Sequence, residues 1–492
     1  MKKAICIGAG PAGLTAAYLL SKEGVAVTVV EKDPVYVGGI SKTIVHNGFC
    51  FDIGGHRFFS KSAEVEKLWD EILGRDFLKR PRKSRIFYRS KFFSYPLKPF
   101  EALMNLGVIT STHCVFSYIW IRIFPYRNPK NFEEWVTNNF GRKLFEIFFK
   151  TYTEKVWGMK CREISVDWAA QRIKGLSLWV AIRNAFFPQK KAGSSVKTLI
   201  DSFRYPRKGP GMMWEKAAEK IKIHGGEVRM GADAFKFLYL PEKKVWQVHC
   251  KVQNGATEIF EAEHIVSSTP LKELVTAIHP LLPSHALQAA HALRYRDFLI
   301  VALVVHDMNI FDDNWIYIHD PAVRVGRIQN FKSWSPEMIP DPSMNCYGME
   351  YFCFEGDGLW QSSDDELVKL AMKEIGYLGL AEEGDIKAGY VVRQKKAYPV
   401  YDEDYAKHVD AIRNSLEENC PGLHLVGRNG MHKYNNQDHA MMTAMLTAKN
   451  IMAGKQIYDV WKVNQDAEYH ETQTSEEQSP GTGLRSVPKR SG

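Results

Sequence analysis

One glycine pattern constrains this chain more than any other feature. Residues 3–7 (KAICI) form a short apolar run, readable as a buried parallel strand. Gly8-Ala9-Gly10-Pro11-Ala12-Gly13 follows at once, a G-x-G-x-x-G. A helical pattern comes next, with Leu14, Ala17, Tyr18 and Leu20 facing inward. Residues 25–30 read as a second, β-branched strand that ends on Glu31. Gly8 lets the strand turn sharply, Gly10 lets a pyrophosphate touch the backbone, and Gly13 lets helix and strand pack closely. The helix start offers free N–H groups and a positive dipole end to phosphates. Glu31 stands where a carboxylate can accept both ribose hydroxyls. A bland glycine turn would explain the glycines, but not strand, helix, strand and acid arriving in order. The pattern predicts a dinucleotide site.

With 492 residues the chain exceeds one core, so two or more intertwined domains are expected. Its 45% hydrophobic and 25% charged residues are ordinary for a globular protein. The net charge is +9, and residues 75–98 carry nine Lys/Arg against one Asp. Such a cluster suits an anionic ligand, with a solvated basic face as the plain alternative. No nucleic-acid motif accompanies it, so no nucleic-acid partner is expected. Eight cysteines are scattered without a C-x-x-C pair or metal-type spacing. Reduced thiols, no metal and a cytoplasmic location are the simple reading. The chain enters a strand directly, so no signal peptide is expected. The one long apolar stretch, 103–124, carries Asn105, His113 and Arg122. It reads as a buried helix rather than a membrane span. Peripheral membrane contact is open through the basic, aromatic stretches 75–98 and 179–191. The oligomeric state is not legible.

Along the chain, 63–73 reads as a helix and 84–95 as a hairpin. Residues 99–187 are mostly helical, and 190–195 a polar loop. Residues 209–223 read as a loop entering a helix, 226–266 as strands, and 295–355 as an alternating, aromatic second sheet. Helices follow at 364–376 and 437–453, with a last strand at 424–427. The polar tail 465–492 is expected to be disordered. The domain plan is a dinucleotide domain built from 1–62, 206–285 and 416–455. A hairpin and helical insertion (63–205) and a sheet domain (286–415) complete it.

The residues after Glu31 narrow the dinucleotide. Glu31-Lys32, then Gly38-Gly39, then Asp52-x-Gly54-Gly55-His56 resemble flavoproteins of the amine oxidase and UDP-galactopyranose mutase superfamily. That resemblance implies non-covalent FAD on an α/β fold. Such a fold has a glutathione-reductase-type Rossmann-like domain, a helical insertion and a mixed-sheet substrate domain. Residues 423–450 (strand, glycine loop, helix) could aim a helix N-terminus at the flavin O2/N1 edge. Over most of 1–455 the chain resembles the UDP-galactopyranose mutases, particularly the eukaryotic type. The matches are Gly54-Gly55-His56, Arg85-Ile86-Phe87-Tyr88 with Tyr95-Pro96, the run 152–158 (YTEKVWG), and Trp315-Ile316-Tyr317 with Arg327 ten residues past the tyrosine. Tyr398-Pro399 and Asn436-Gln437-Asp438-His439, preceded by Arg428, complete them. Family residues differ at Thr153 and Lys98, and 190–197 has no clear counterpart of a substrate-binding asparagine; these are substrate positions and leave the sugar open.

The resemblance implies roles. Gly8, Gly10, Pro11, Ala12, Gly13, Glu31, Lys32, Gly38, Gly39, Gly55, His56, Arg85, Gly427, Arg428, Asn436 and Gln437 would hold FAD, Arg428 on its diphosphate. Tyr95, Trp157, Arg172, Tyr317, Arg327, Tyr398 and Tyr434 would hold the substrate. His56, Arg172 and Arg327 would serve the reaction. Two guanidinium forks suit a diphosphate leaving group, and Trp157 or Trp315 could stack on uracil. The implied activity is ring contraction of a nucleotide-linked sugar through reduced flavin N5, with an electron donor that keeps FAD reduced. The alternative is an amine oxidase-, protoporphyrinogen oxidase- or desaturase-like oxidoreductase, and a non-catalytic flavoprotein-fold subunit is the third reading.

Overall fold

Burial in the first strand decides the architecture. Within Lys3–Ile7, Ala4 and Cys6 enter one apolar core while Ile5 and Ile7 enter another. A strand apolar on both sides belongs in the middle of a sheet covered on both faces. The computed structural model, which describes residues 2–95, 97–166 and 202–464, contains that sheet. Five parallel strands run in the order Leu423–Leu425, His264–Ser267, Lys3–Ile7, Ala26–Glu31, Glu227–Met230. Its strands come from three distant stretches of chain. The helices Pro11–Lys22, Gly211–Ile223 and Gln437–Ala453 pack one face through Leu14, Trp214 and Met441. A four-stranded sheet covers the other face with Phe237, Trp246 and Val248.

A seven-stranded sheet forms the second body, in the order Ile386–Pro399, Tyr295–His306, Met344–Cys353, Arg327–Asn330, Trp315–Ile318, Ser84–Tyr88, Lys91–Ser94. Arg89 and Ser90, both at positive φ, close the last hairpin. Both faces of Tyr295–His306 are buried, Leu299, Val301 and Leu303 in one core and Phe298, Ile300 and Ala302 in the other. This sheet is covered on both sides, by helix Asp364–Tyr377 and by the hairpin Thr43–His46/Phe49–Asp52.

The stretch 103–124, expected as one buried helix, is corrected by the structure. Gly107, at φ +80, breaks it into Pro99–Leu106 and Val108–Ile123. Only Cys114, Tyr118 and Ile121 of the second helix are buried. That side meets the neighbouring helices, where a side chain on Gly141 would come within 2.9 Å of the Tyr118 backbone. Val108, Ile109, Phe116, Trp120 and Ile123 point outward. Among the described residues no helix is long and apolar enough to cross a membrane. Arg172, Pro96, the stretch 179–191, the loop 190–197 and the tail 465–492 lie outside the described residues.

The two glycine types in the opening unit carry different loads. A Cβ on Gly13 would stand 1.9 Å from the Gly8 carbonyl oxygen, whereas one on Gly24 (φ +78) meets nothing within 4 Å. Gly13→Ala should therefore force strand and helix apart and cost about 2–4 kcal/mol. Gly24→Ala should cost only backbone strain, about 1 kcal/mol. Thermal unfolding of the two variants checks the order; equal midpoints would refute the close-packing role of Gly13.

Candidate functional site

Three segments converge on the start of helix Pro11–Lys22. Gly8 donates its N–H to the Val30 carbonyl at 2.8 Å, and Gly38 donates to that of Ala9 at 2.7 Å. A side chain on Gly39 would reach within 3.3 Å of the Gly10 Cα, so the glycine pairs stack backbone on backbone. Gly10 is the helix N-cap and supplies no side chain, which leaves first-turn N–H groups at Ala12 and Gly13 for a ligand. Glu31 accepts from the backbone N–H of Ala9 at 2.6 Å and of Asp33 at 2.8 Å. Burial pushes its pKa above the usual carboxylate value. Lys32 beside it is exposed. Gly427, at φ +81, donates to Thr443 Oγ1 at 2.9 Å and presses its backbone against Ala12.

These features fit an FAD. A Cβ on Gly10 would already touch the Gly38-Gly39 backbone at 3.8–4.0 Å, so only a glycine or a very small side chain leaves this backbone approachable by a phosphate. At the other end, helix Gln437–Ala453 begins with an amide whose Oε1 and Nε2 are both buried without a partner. Buried amides are normally hydrogen-bonded, and the edge of a flavin ring offers both a donor and an acceptor. Asn436 caps this helix, its N–H donating to His439 Nδ1 at 3.4 Å.

Between these ends lies the Gly54-Gly55-His56 loop. It is anchored by buried Asp52, which accepts from Thr43 Oγ1 at 2.7 Å and from the Tyr205 hydroxyl. Burial raises the Asp52 carboxyl to about 7. His56 Nε2 lies 3.1 Å from the Ile53 carbonyl oxygen. A side chain on Gly54 (φ +105) would come within 3.6 Å of His56 Nε2, 3.7 Å of Arg327 Nη2 and 3.8 Å of Glu350 Oε1. Gly55 meets Gln329 and Trp334 in the same way. Burial, with the guanidinium groups of Arg428 and Arg327, presses the His56 imidazole down to about 4.

Arg327 opens strand Arg327–Asn330, directly opposite Tyr317 of Trp315–Ile318. Its Nε donates to Glu350 Oε2 at 2.6 Å. Glu350, fully buried, also accepts from Gln329 Nε2 at 2.6 Å, and Gln329 Oε1 accepts from Trp334 Nε1 at 2.8 Å. Burial opposes the charge on Arg327, but Glu350, Tyr152 and Tyr398 outweigh it and hold its pKa well above the usual value. Tyr95 packs 5.0 Å from the Tyr317 ring and Tyr152 edge-on at 5.3 Å. Tyr398 stacks on Tyr434 at 5.6 Å, with Trp157 against both. Arg428 lies over the Tyr434 ring at 4.9 Å and donates to the carbonyls of Asn435 and Ala397 at 2.9 and 3.0 Å. Two of its donors therefore clamp the loop that precedes Asn436.

Sequence reasoning missed part of this frame. Glu350 was legible as a lone acid in an apolar strand (CYGMEYF). Lys155 carried no such mark. Its Nζ donates to the carbonyls of Ile318, Asp320 and Val325 at 3.3, 2.6 and 3.1 Å, pinning the turn between Tyr317 and Arg327. Glu374 holds the same turn through the N–H groups of Arg324 and Val325 at 2.6 and 3.0 Å. Two residues named from the sequence have protein partners in the structure. Arg85, expected on the cofactor, forms a forked ion pair with fully buried Asp313 and stacks on Phe92 at 3.9 Å, because that carboxylate requires a cation. Trp315, one of the two rings that could stack on uracil, stacks on Trp334 at 5.3 Å and is buried, as is the other, Trp157.

Two outcomes follow from this geometry. Gly10→Val should purify colourless, because its methyls would crowd the cradle between the start of helix Pro11–Lys22 and Gly38-Gly39. A yellow, fully loaded variant would remove Gly10 from the cofactor cradle. The second concerns pH. Between about 6.5 and 4 the unfolded chain binds a proton that folded His56 refuses, so stability falls as pH drops through that window. His56→Gln should lose less thermal stability than wild type between those pH values, as read by calorimetry.

Comparison with known proteins extends the picture. Residues 6–72 match the family model described as an NAD(P)-binding Rossmann-like domain. The chain is 30% identical over 467 residues to protoporphyrinogen oxidase 2, chloroplastic/mitochondrial, of Arabidopsis thaliana, covering 87% of this chain and 89% of that one. It is 25% identical over 180 residues to dTDP-fucopyranose mutase of Escherichia coli, covering 33% of this chain and 44% of that protein. The crystal structure of a reduced UDP-galactopyranose mutase superposes with a TM-score of 0.80 at 20% identity, covering 96% of this chain and 99% of the other, which establishes the fold. With the glycine cradle, the unpartnered amide of Gln437 and a relative aligned over most of both chains in hand, the chain belongs to the FAD-dependent amine oxidase superfamily that includes protoporphyrinogen oxidase, and it has the fold of UDP-galactopyranose mutase.

Proposed function

We propose that this flavoenzyme isomerises the ring of a nucleotide-linked sugar, of the UDP-galactopyranose class, in a cycle that starts and ends with reduced FAD. The carrying observation is Arg327. It is a buried, permanently charged fork, oriented by Glu350 and ringed by Tyr152, Tyr317 and Tyr398 beside the His56 loop. A cation in apolar surroundings favours an anionic, bidentate ligand such as a diphosphate. Tyrosine hydroxyls add neutral donors, and Arg172 is the proposed second fork. Reduced flavin would supply a nucleophilic nitrogen at N5, so no Ser or Cys nucleophile is required. His56, held by the backbone of Ile53 and Ile40 and kept neutral by burial, would add no charge to the proposed flavin site. Tyr95, Trp157, Tyr398 and Tyr434 would line the sugar-nucleotide pocket.

A second reading is an oxidoreductase without mutase activity. The relative named protoporphyrinogen oxidase and the aromatic wall of Tyr152, Trp157, Tyr398 and Tyr434 support it. Turnover separates the two. The mutase needs reduced FAD but consumes no stoichiometric electron donor, whereas an oxidase consumes an acceptor on every cycle. The assay is anaerobic conversion of UDP-galactofuranose and other UDP-sugars, with and without dithionite, beside an oxygen electrode. Oxygen uptake matching product would discard the mutase reading.

Arg327→Ala should keep FAD bound but lose about 2–4 kcal/mol of transition-state stabilisation, roughly 30- to 1000-fold in catalytic efficiency. Arg327→Lys should not restore it, since an ammonium cannot make the forked contact. Full activity in either variant would remove the diphosphate role.

A further inference from the structure

Helix Val108–Ile123 turns its apolar side to solvent. Val108 is 83% exposed, Ile109 77%, Phe116 66%, Trp120 65% and Ile123 62%. The stripe continues through Phe124 and Tyr126. Its sequence spacing (108/109, 115/116, 119/120, 123/124) is that of one helical face, while Cys114, Tyr118 and Ile121 face the protein. The loop after the helix is fixed, since Asn138 pairs with both the N–H and the carbonyl of Tyr126 at 2.9 and 2.8 Å.

Charge defines what covers this face. Residues 102–132 contain no acid. Exposed cations border the stripe: Arg122 within the helix, Arg127 and Lys130 just past it, and Lys98 ahead of it. Lys91 bonds the Asn105 carbonyl at 2.9 Å, next to the helix start. A second copy seated face to face would set these cations against their own counterparts. An anionic bilayer meets both features at once, with headgroups for the cations and the acyl boundary for the apolar side chains. Trp and Tyr are also the residues that favour the headgroup level.

We propose that Val108–Ile123, with the 124–130 loop, is a monotopic membrane-docking surface that lays the enzyme on an anionic lipid bilayer. It does not depend on which flavin chemistry the site performs. Of the two stretches expected to make such contact, 75–98 contributes Lys91 and Lys98 to the cationic rim, and 179–191 lies outside the described residues.

Vesicle flotation of the full-length, flavin-loaded protein tests this. The probes are phosphatidylcholine vesicles with and without about one-third phosphatidylglycerol. Wild type should float with anionic vesicles, and Phe116→Glu/Trp120→Glu should lower partition about tenfold or more. Both side chains are exposed, so this variant should keep its flavin spectrum and melting point. Arg122→Glu/Arg127→Glu, neutral vesicles or high salt should each weaken binding, by about fivefold per cation lost. Wild type left at the bottom of the gradient with anionic vesicles, or Phe116→Glu/Trp120→Glu floating like wild type, would overturn the proposal. So would light scattering that shows a dimer split by Phe116→Glu/Trp120→Glu in protein that ignores vesicles, which would assign the face to a second copy.

Discussion

The buried pair of Arg327 and Glu350 is the contact around which the candidate site is arranged. A carboxylate with no solvent exposure is costly unless a cation answers it. Arg327 answers it from the neighbouring strand, and Gln329 and Trp334 complete the carboxylate's bonds. Such a pair adds little stability over apolar packing, but removing one partner costs about 3–5 kcal/mol. Its value is positional. The guanidinium can present only the edge that Glu350 leaves to it, toward Gly54, His56 and the tyrosines.

That position is reinforced from outside. Lys155 and Glu374 hold the turn between Tyr317 and Arg327 from opposite chemical sides, one by three carbonyls and the other by two amides. Burial brings Lys155 down to about 8. Arg296 adds another tie, donating to the carbonyls of Val156 and Phe352 at 3.1 and 2.7 Å, so the helix carrying Tyr152 and Trp157 is joined to the sheet carrying Arg327. The site is thus held by backbone-directed cations, which orient strands without competing for ligand.

The nucleotide end works by exclusion of side chains. Gly8, Gly10, Gly13, Gly38 and Gly39 bring backbone against backbone, and Gly427 adds a third chain segment. Around His56 the same economy appears in Gly54 and Gly55. Protein groups come near enough to His56 to keep it neutral, and Arg428 reaches it while clamping the loop before Asn436.

Much of this was legible in the sequence because it is local. The glycine cradle, helix 63–73, hairpin 84–95 and helix 437–453 each follow from spacing, turn chemistry and a β or helical period, which neighbouring residues determine among themselves. The resemblance likewise pointed to Arg327, Tyr317, Tyr398 and His56, which the fold gathers into one cluster. What the sequence could not decide was allegiance. Arg85 and Arg327 both read as arginines in strands, and each is paired with a buried carboxylate, yet Asp313 takes both Nε and Nη2 of Arg85 whereas Glu350 takes Nε of Arg327, whose Nη2 lies beside Gly54. The apolar period of 108–123 is the same whether its face meets protein or lipid, so only the tertiary structure shows that one side lies exposed and packs against no core of the described residues. Composition and spacing determine which faces are apolar and where the backbone can turn. Which partner each charge and each apolar face finds depends on long-range packing, because a charge or an apolar surface is satisfied by whatever the fold brings within a few ångströms.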